Sequence, residues 1–174
     1  IITDPNVGFG YSETVKKIRT NLIYKMRKKD IKVIFITSTL PKEGKTTVAL
    51  NLAEAMSHHY NNVLLIEGDC QKKDLVKRLE LDDEEIADWK TGFEDRKILA
   101  SHIYKSDKYK FKLMLNTTDD NFNVENLASK KLCDFLSTMK RDTDVIIVDG
   151  PSIKKRSDAE MWARICDASV LIVK

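Results

Sequence analysis

Gly44, Lys45, Thr46 and Thr47 follow a run rich in β-branched residues (Ile31, Val33, Ile34, Phe35, Ile36) and precede apolar residues at helical spacing (Val48, Leu52, Ala55, Met56). Strand, polar loop and helix in that order suit the holding of phosphate. A helix start offers unpaired backbone N–H groups and a partial positive charge, and a glycine at Gly44 lets the backbone close on phosphate oxygens. Lys45 adds a full charge, and Thr46 offers a hydroxyl to a Mg²⁺ carried by the phosphates. The full pattern opens with glycine five residues before Gly44, and Thr39 occupies that place here.

Two acidic strand ends accompany the loop. The run Val63, Leu64, Leu65, Ile66 ends in Glu67-Gly68-Asp69, and the run Val145, Ile146, Ile147, Val148 ends in Asp149-Gly150-Pro151. Open α/β sheets bind ligands at the carboxyl ends of their strands, so both runs deliver carboxylates where a phosphate-bound cation would sit. The second has the Walker B pattern. Alone, either sequence is also an ordinary turn; beside a phosphate loop the magnesium-site reading gains weight.

The rest of the chain must position these groups. Ser12 is expected to cap a helix carrying Val15, Ile18, Leu22, Ile23 and Met26, after an extended start through residue 9. Glu13, Lys16 and Arg19 form another stripe of that helix, which reads equally as a solvated face or a partner-binding one. Between residues 70 and 120 the pattern is weaker. Leu75, Val76, Leu79 and Leu81 suit a short helix, residues 82–85 can start another that includes Ile86 and Trp89, and residues 94–103 a third. Phe111, Leu113 and Leu115 alternate as a strand. A helix with Val124, Leu127, Leu132, Phe135, Leu136 and Met139, one with Met161, Trp162 and Ile165, and a strand over residues 168–173 follow. Strands alternating with helices give an α/β, doubly wound, mostly parallel sheet: the P-loop NTPase fold. Lys154, Lys155 and Arg156 read as a solvated loop or a charge clamp, and His58, His59 and His102 are assigned no chemistry.

Length and composition agree with one domain spanning residues 1–174. Hydrophobic residues make up 42%, and the charge balance is 30 − 27 = +3, too slight to argue for nucleic acid. Cys70, Cys133 and Cys166 are scattered and odd in number, which favours a reducing compartment. Uninterrupted apolar runs reach four residues, where a membrane span needs about 20.

These residues together carry a family resemblance over nearly the whole chain. The chain resembles the cytoplasmic kinase domain of bacterial tyrosine kinases (BY-kinases) that control capsule and exopolysaccharide synthesis, within the ParA/MinD-like branch of P-loop proteins. Glu13-x-x-Lys16-x-x-Arg19-Thr20-Asn21 resembles the family's EaxRxxRTN helix, residues 37–47 its SSxPxEGKT loop, and residues 63–69 its second acidic motif, LLIDxD. Residues 123–129 resemble its NPxELLxS segment, and residues 144–151 its DyviiDtPP strand end. The signature lysine of ParA/MinD proteins falls at Leu40.

The resemblance implies ATP- and Mg²⁺-dependent autophosphorylation on the tyrosine tail of a neighbouring subunit. Lys45, Glu67, Asp69 and Asp149 would be catalytic, with Glu67 as proton acceptor. Lys42, Glu43, Gly44, Lys45, Thr46 and Thr47 would hold ATP or ADP. Thr46, Glu67, Asp69 and Asp149 would hold the metal. Glu13, Lys16 and Arg19 would pack a homo-oligomeric ring, with residues 1–30 as an N-terminal extension and oligomerisation helix. A membrane polysaccharide-copolymerase domain, on the same chain or a partner, would activate the kinase and keep it cytoplasmic at the inner face of the membrane. The tail and the end of the domain would lie beyond Lys174. Glu67 stands where the family has Asp, Gln71 where it usually has Arg, and Lys16 where it has the first ring arginine. A second reading is therefore a degenerate nucleotide-binding assembly switch of the same machinery, and a third is a ParA/MinD-type ATPase.

Overall fold

Period-two alternation decides the layering. In the strands Val33–Ser38 (β1), Val63–Glu67 (β2) and Val145–Asp149 (β5) every residue is buried. Ile34, Ile36, Val63, Leu65, Val145 and Ile147 join one apolar cluster, while Val33, Phe35, Leu64, Ile66, Ile146 and Val148 join another on the opposite face. Strands apolar at every position need cover on both faces, as parallel sheets do.

A computed structural model of the chain describes residues 1, 8–82, 85–92, 100–118, 122, 130–155 and 157–173. The helices Phe9–Lys29 (α1), Lys45–Ser57 (α2) and Asp74–Leu79 (α3) pack on the first face, through Ile23 and Met26, Leu52 and Met56, and Leu75 and Leu79. Lys130–Asp142 (α4) and Ser157–Ile165 (α5) cover the second, through Leu132, Phe135, Leu136 and Trp162. With Tyr104–Lys105 (β3), Lys112–Met114 (β4) and Ala168–Ile172 (β6), the sheet order is β3-β4-β2-β5-β1-β6. All neighbours run parallel except β3, which is antiparallel to β4.

The expected mixed α/β architecture is the one observed, with three local differences. Ser12 does not cap α1. The helix begins at Phe9 behind Gly8, whose carbonyl accepts the Tyr11 and Ser12 amides, so Ser12 lies inside the first turn. No helix carries Ile86 and Trp89: residues 86–88 are irregular and 89–92 form a turn, because this stretch caps the sheet's carboxyl edge instead of lying along it. Its polar groups find partners there, with Trp89 Nε1–H donating to the Glu67 carbonyl (3.1 Å) and Trp89 N–H to that of Leu115 (3.2 Å). The two-residue β3 carries no readable alternation. The sequence-based readings for residues 2–7, 93–99, 123–129 and Arg156 lie outside the described residues.

Gly150, directly after Asp149, is required by packing. A Cβ there would lie 2.0 Å from Phe35 Cε2, in the middle of a fully buried ring. Gly150→Ala is expected to cost about 2–3 kcal/mol through overpacking. For a chain of this size that corresponds to a fall of roughly 4–10 °C in Tm, readable by thermal denaturation.

Candidate functional site

The loop between β1 and α2 is built from two left-handed residues and one carboxylate brace. Lys42 (φ 66°) and Gly44 (φ 92°) both adopt positive φ, which turns successive amides to one side as an anion nest. Thr39 is not among the positive-φ residues, so no glycine is needed there, which accounts for the motif departure. Glu43 Oε2 accepts the Leu40 amide at 2.7 Å and closes the loop on itself. Lys45 folds back across it, 6% exposed, and donates to Ser38 Oγ at 3.1 Å. Burial lowers its pKa and the Lys72 ammonium adds to this, while Asp149, Asp69 and Glu43 pull the other way.

The acids arrive on adjacent strands. Asp149 is in register with Ile36 of β1 on one side and Glu67 of β2 on the other. Gly68 and Asp69 amides both donate to the Asp149 carbonyl (2.8 and 3.2 Å), which fixes the two strand ends together. The Thr46 hydroxyl hydrogen-bonds the Asp149 carboxylate, whose Oδ1 is buried with no hydrogen-bond partner. Burial raises the Asp149 pKa to about 7, against the opposing pull of Thr46 and Lys45. Asp69 pairs with Lys72 at 2.7 Å.

Glu67 is held differently from the free carboxylate that the sequence leads one to expect. Its Oε1 accepts the Leu75 amide and its Oε2 the Asn116 amide, both at 2.9 Å, and it is 1% exposed. Burial pushes its pKa to about 8 while those amides pull it down. The longer side chain thus ties β2 to the start of α3 and to the exit of β4.

Lys42, Gly44, Lys45, Thr46, Glu67, Asp69 and Asp149 line one cleft of about 280 Å³. Two expected binding residues do not: the Glu43 carboxylate is spent inside the loop, and the Thr47 hydroxyl accepts from Arg78 Nη1 at 3.1 Å. Lys72, Asp74 and Arg78 line the cleft without having been anticipated. All three sit on or before the six-residue α3, too short for periodicity to single out. Glu13, Lys16 and Arg19 lie apart on α1. Glu13 and Lys16 pair with each other at 2.8 Å in solvent, while Arg19 Nη1 donates to the Ala55 carbonyl of α2 at 3.4 Å.

The donor set fits Mg²⁺ carried by a polyphosphate. That ion takes one or two carboxylates with phosphate oxygens and waters in place of an all-protein cage. Among the described residues no three His, Cys, Asp or Glu side chains form such a cage. The buried, unpartnered Asp149 Oδ1 beside the Thr46 hydroxyl supplies the hard oxygens, and the nest with Lys45 supplies positive charge to balance the anion.

Acids with raised folded-state pKa values bind protons more tightly folded than unfolded, so stability falls as pH rises from the unfolded values toward about 7 and 8. Without nucleotide or magnesium, the unfolding free energy from urea titration is expected to drop between pH 5 and pH 8 by an amount on the order of a few kcal/mol. Mg-ADP should reduce that drop, because a cation beside Asp149 favours its charged form.

Three strand ends meeting an amide-lined loop on a doubly wound sheet give the chain the P-loop NTPase fold. Within that class, the chain is similar to bacterial tyrosine-protein kinases. It is 26% identical over 162 residues to tyrosine-protein kinase YwqD of Bacillus subtilis, covering 93% of this chain and 68% of the relative. To the putative tyrosine-protein kinase CapB of Staphylococcus aureus it is 25% identical over 173 residues, covering 93% and 70%. The fold matches the chimerical protein CapA2B2 (TM-score 0.83, 21% identity, 97% of this chain and 73% of that one). It also matches the kinase domain of the Escherichia coli tyrosine kinase ETK (0.83, 23%, 92% and 62%). A more distant match is the septum site-determining protein MinD of Pyrococcus horikoshii complexed with Mg-ADP (0.66, 23%, 82% and 57%). No family model matches the chain. Among the described residues no helix is long and apolar enough to cross a membrane.

Proposed function

We propose that this chain is the catalytic domain of an autophosphorylating protein tyrosine kinase that uses Mg-ATP and regulates capsule or exopolysaccharide synthesis and export. The observation that carries the reading is the buried, unpartnered Asp149 Oδ1 set beside Thr46 and the Lys42–Gly44 nest in one cleft. The similarity to bacterial tyrosine kinases supports tyrosine as the acceptor. Phosphoryl transfer passes through a loose transition state, so catalysis is positioning and charge neutralisation. Loop amides and Lys45 hold the phosphates. Thr46, Asp69 and Asp149 hold the metal, which when bound neutralises charge on the phosphate oxygens. A tyrosine hydroxyl titrates near pH 10 and must lose its proton as it attacks. Asp69 takes that role, because both oxygens of Glu67 already hold backbone amides.

The acceptor is the tyrosine tail of a neighbouring subunit in a ring packed through Glu13, Lys16 and Arg19. The activator is a membrane polysaccharide-copolymerase domain that places the kinase at the cytoplasmic face. The occupied Glu67 also favours a second reading, an assembly switch that binds ATP without transferring phosphate. Incubating the full-length protein with radiolabelled ATP and Mg²⁺, beside a Lys45→Ala control, separates the two. Tyrosine label that depends on Lys45 is expected; nucleotide binding without label would leave only the switch.

A further inference from the structure

Behind the acidic wall of the cleft lies a buried ion pair that none of the motifs includes. Lys90 and Asp88 side chains are 4% and 2% exposed, with Nζ 3.5 Å from Asp88 Oδ2. The ammonium also donates to the carbonyls of Cys70 (3.1 Å) and Thr118 (2.9 Å). Asp88 is equally engaged. Its Oδ1 accepts the Lys90 amide at 2.9 Å, and its Oδ2 accepts the Thr117 and Thr118 amides and the Thr118 hydroxyl, each at 2.8 Å.

What this pair grips matters more than what it stabilises. Burying an ion pair costs about as much desolvation as its attraction returns, so the network is a poor source of net stability. It joins the backbone on either side of the cleft's acids. Cys70, whose carbonyl Lys90 holds, directly follows Asp69. The loop that Asp88 holds directly follows Asn116, whose Nδ2 donates to the Asp69 and Lys72 carbonyls at 3.0 Å each. Asp69 is thereby fixed through its own carbonyl, through the next peptide, and through its amide on Asp149.

We propose that the Asp88–Lys90 pair is a positioning device that sets the Asp69 carboxylate for the magnesium-bearing polyphosphate. Neither residue touches the ligand. The proposal rests on the reading of the cleft as a Mg-nucleotide site, and a metal ligand displaced by even part of an ångström loses much of its value.

The test is ADP binding to the full-length protein by calorimetry, once with EDTA and once with excess MgCl₂. Lys90→Met preserves length and packing while removing the charge. Its ADP affinity in EDTA is expected to stay within twofold of wild type, since the phosphate loop is untouched. The tightening that Mg²⁺ gives should fall by about tenfold or more. Thr118→Val, which removes one hydrogen bond to Asp88, should lose two- to threefold of the same tightening, and it alone decides the matter if Lys90→Met does not fold. Equal losses with and without Mg²⁺, or no loss in either, would overturn the positioning role. Failure of the wild-type protein to bind ADP would instead overturn the nucleotide-site reading.

Discussion

Lys45→Ala is expected to weaken ATP binding by at least a hundredfold and to abolish phosphate transfer while leaving the fold intact. Lys45 is 6% exposed and its ammonium donates to one hydroxyl, Ser38 Oγ, with desolvation lowering its pKa. Its burial disfavours the charged form, a cost that a polyphosphate would offset. Removing it should leave the unfolding free energy within about 1 kcal/mol of wild type, since the lost hydrogen bond and the relieved desolvation oppose each other. In the nucleotide complex the same change removes a charge-assisted contact to phosphate, where such interactions are strongest. Equilibrium binding of a fluorescent ATP analogue and a urea titration read the two quantities separately. Large losses in both would mean that Lys45 is structural.

The sheet was legible because its burial is written at every position. Val33 to Ile36, Val63 to Ile66 and Val145 to Val148 leave no polar face, so only central parallel strands suit them. The convergence of Lys45, Thr46, Asp69 and Asp149 follows directly, since each sits at or just past the end of such a strand or at the start of the helix that follows one. Harder to read were positions whose environment comes from distant segments. Ile86 and Trp89 fit a helical stripe, yet Trp89 is buried by Trp162 and Phe122 and bonded to Glu67 and Leu115, which no local pattern encodes. Arg19 matched a surface motif but donates to α2. Asp88 and Lys90 look like loop charges in sequence, and only the fold puts them beneath the acids.

Glu67 gives the prediction in which sequence and structure lead to opposite outcomes. As the proton acceptor implied by the motif, it would lose transfer activity on Glu67→Gln with stability unchanged, because the amide is isosteric. As the tie between β2, α3 and β4, the residue uses both oxygens as acceptors of buried amides. An amide can present one oxygen, so Glu67→Gln turns an NH₂ toward either Leu75 N–H or Asn116 N–H. Two donors then face each other in a site that is 1% exposed, and leaving one buried amide unpaired costs about 1–3 kcal/mol. Glu67→Ala strips both amides of their acceptor and opens a cavity, for a loss of about 3–5 kcal/mol. Urea unfolding of the two variants at about pH 9, where the Glu67 carboxyl is ionised, should therefore rank wild type above Gln above Ala, with nucleotide binding retained by whatever fraction remains folded. A Gln variant as stable as wild type but unable to transfer phosphate would return Glu67 to the catalytic role and displace Asp69 from it.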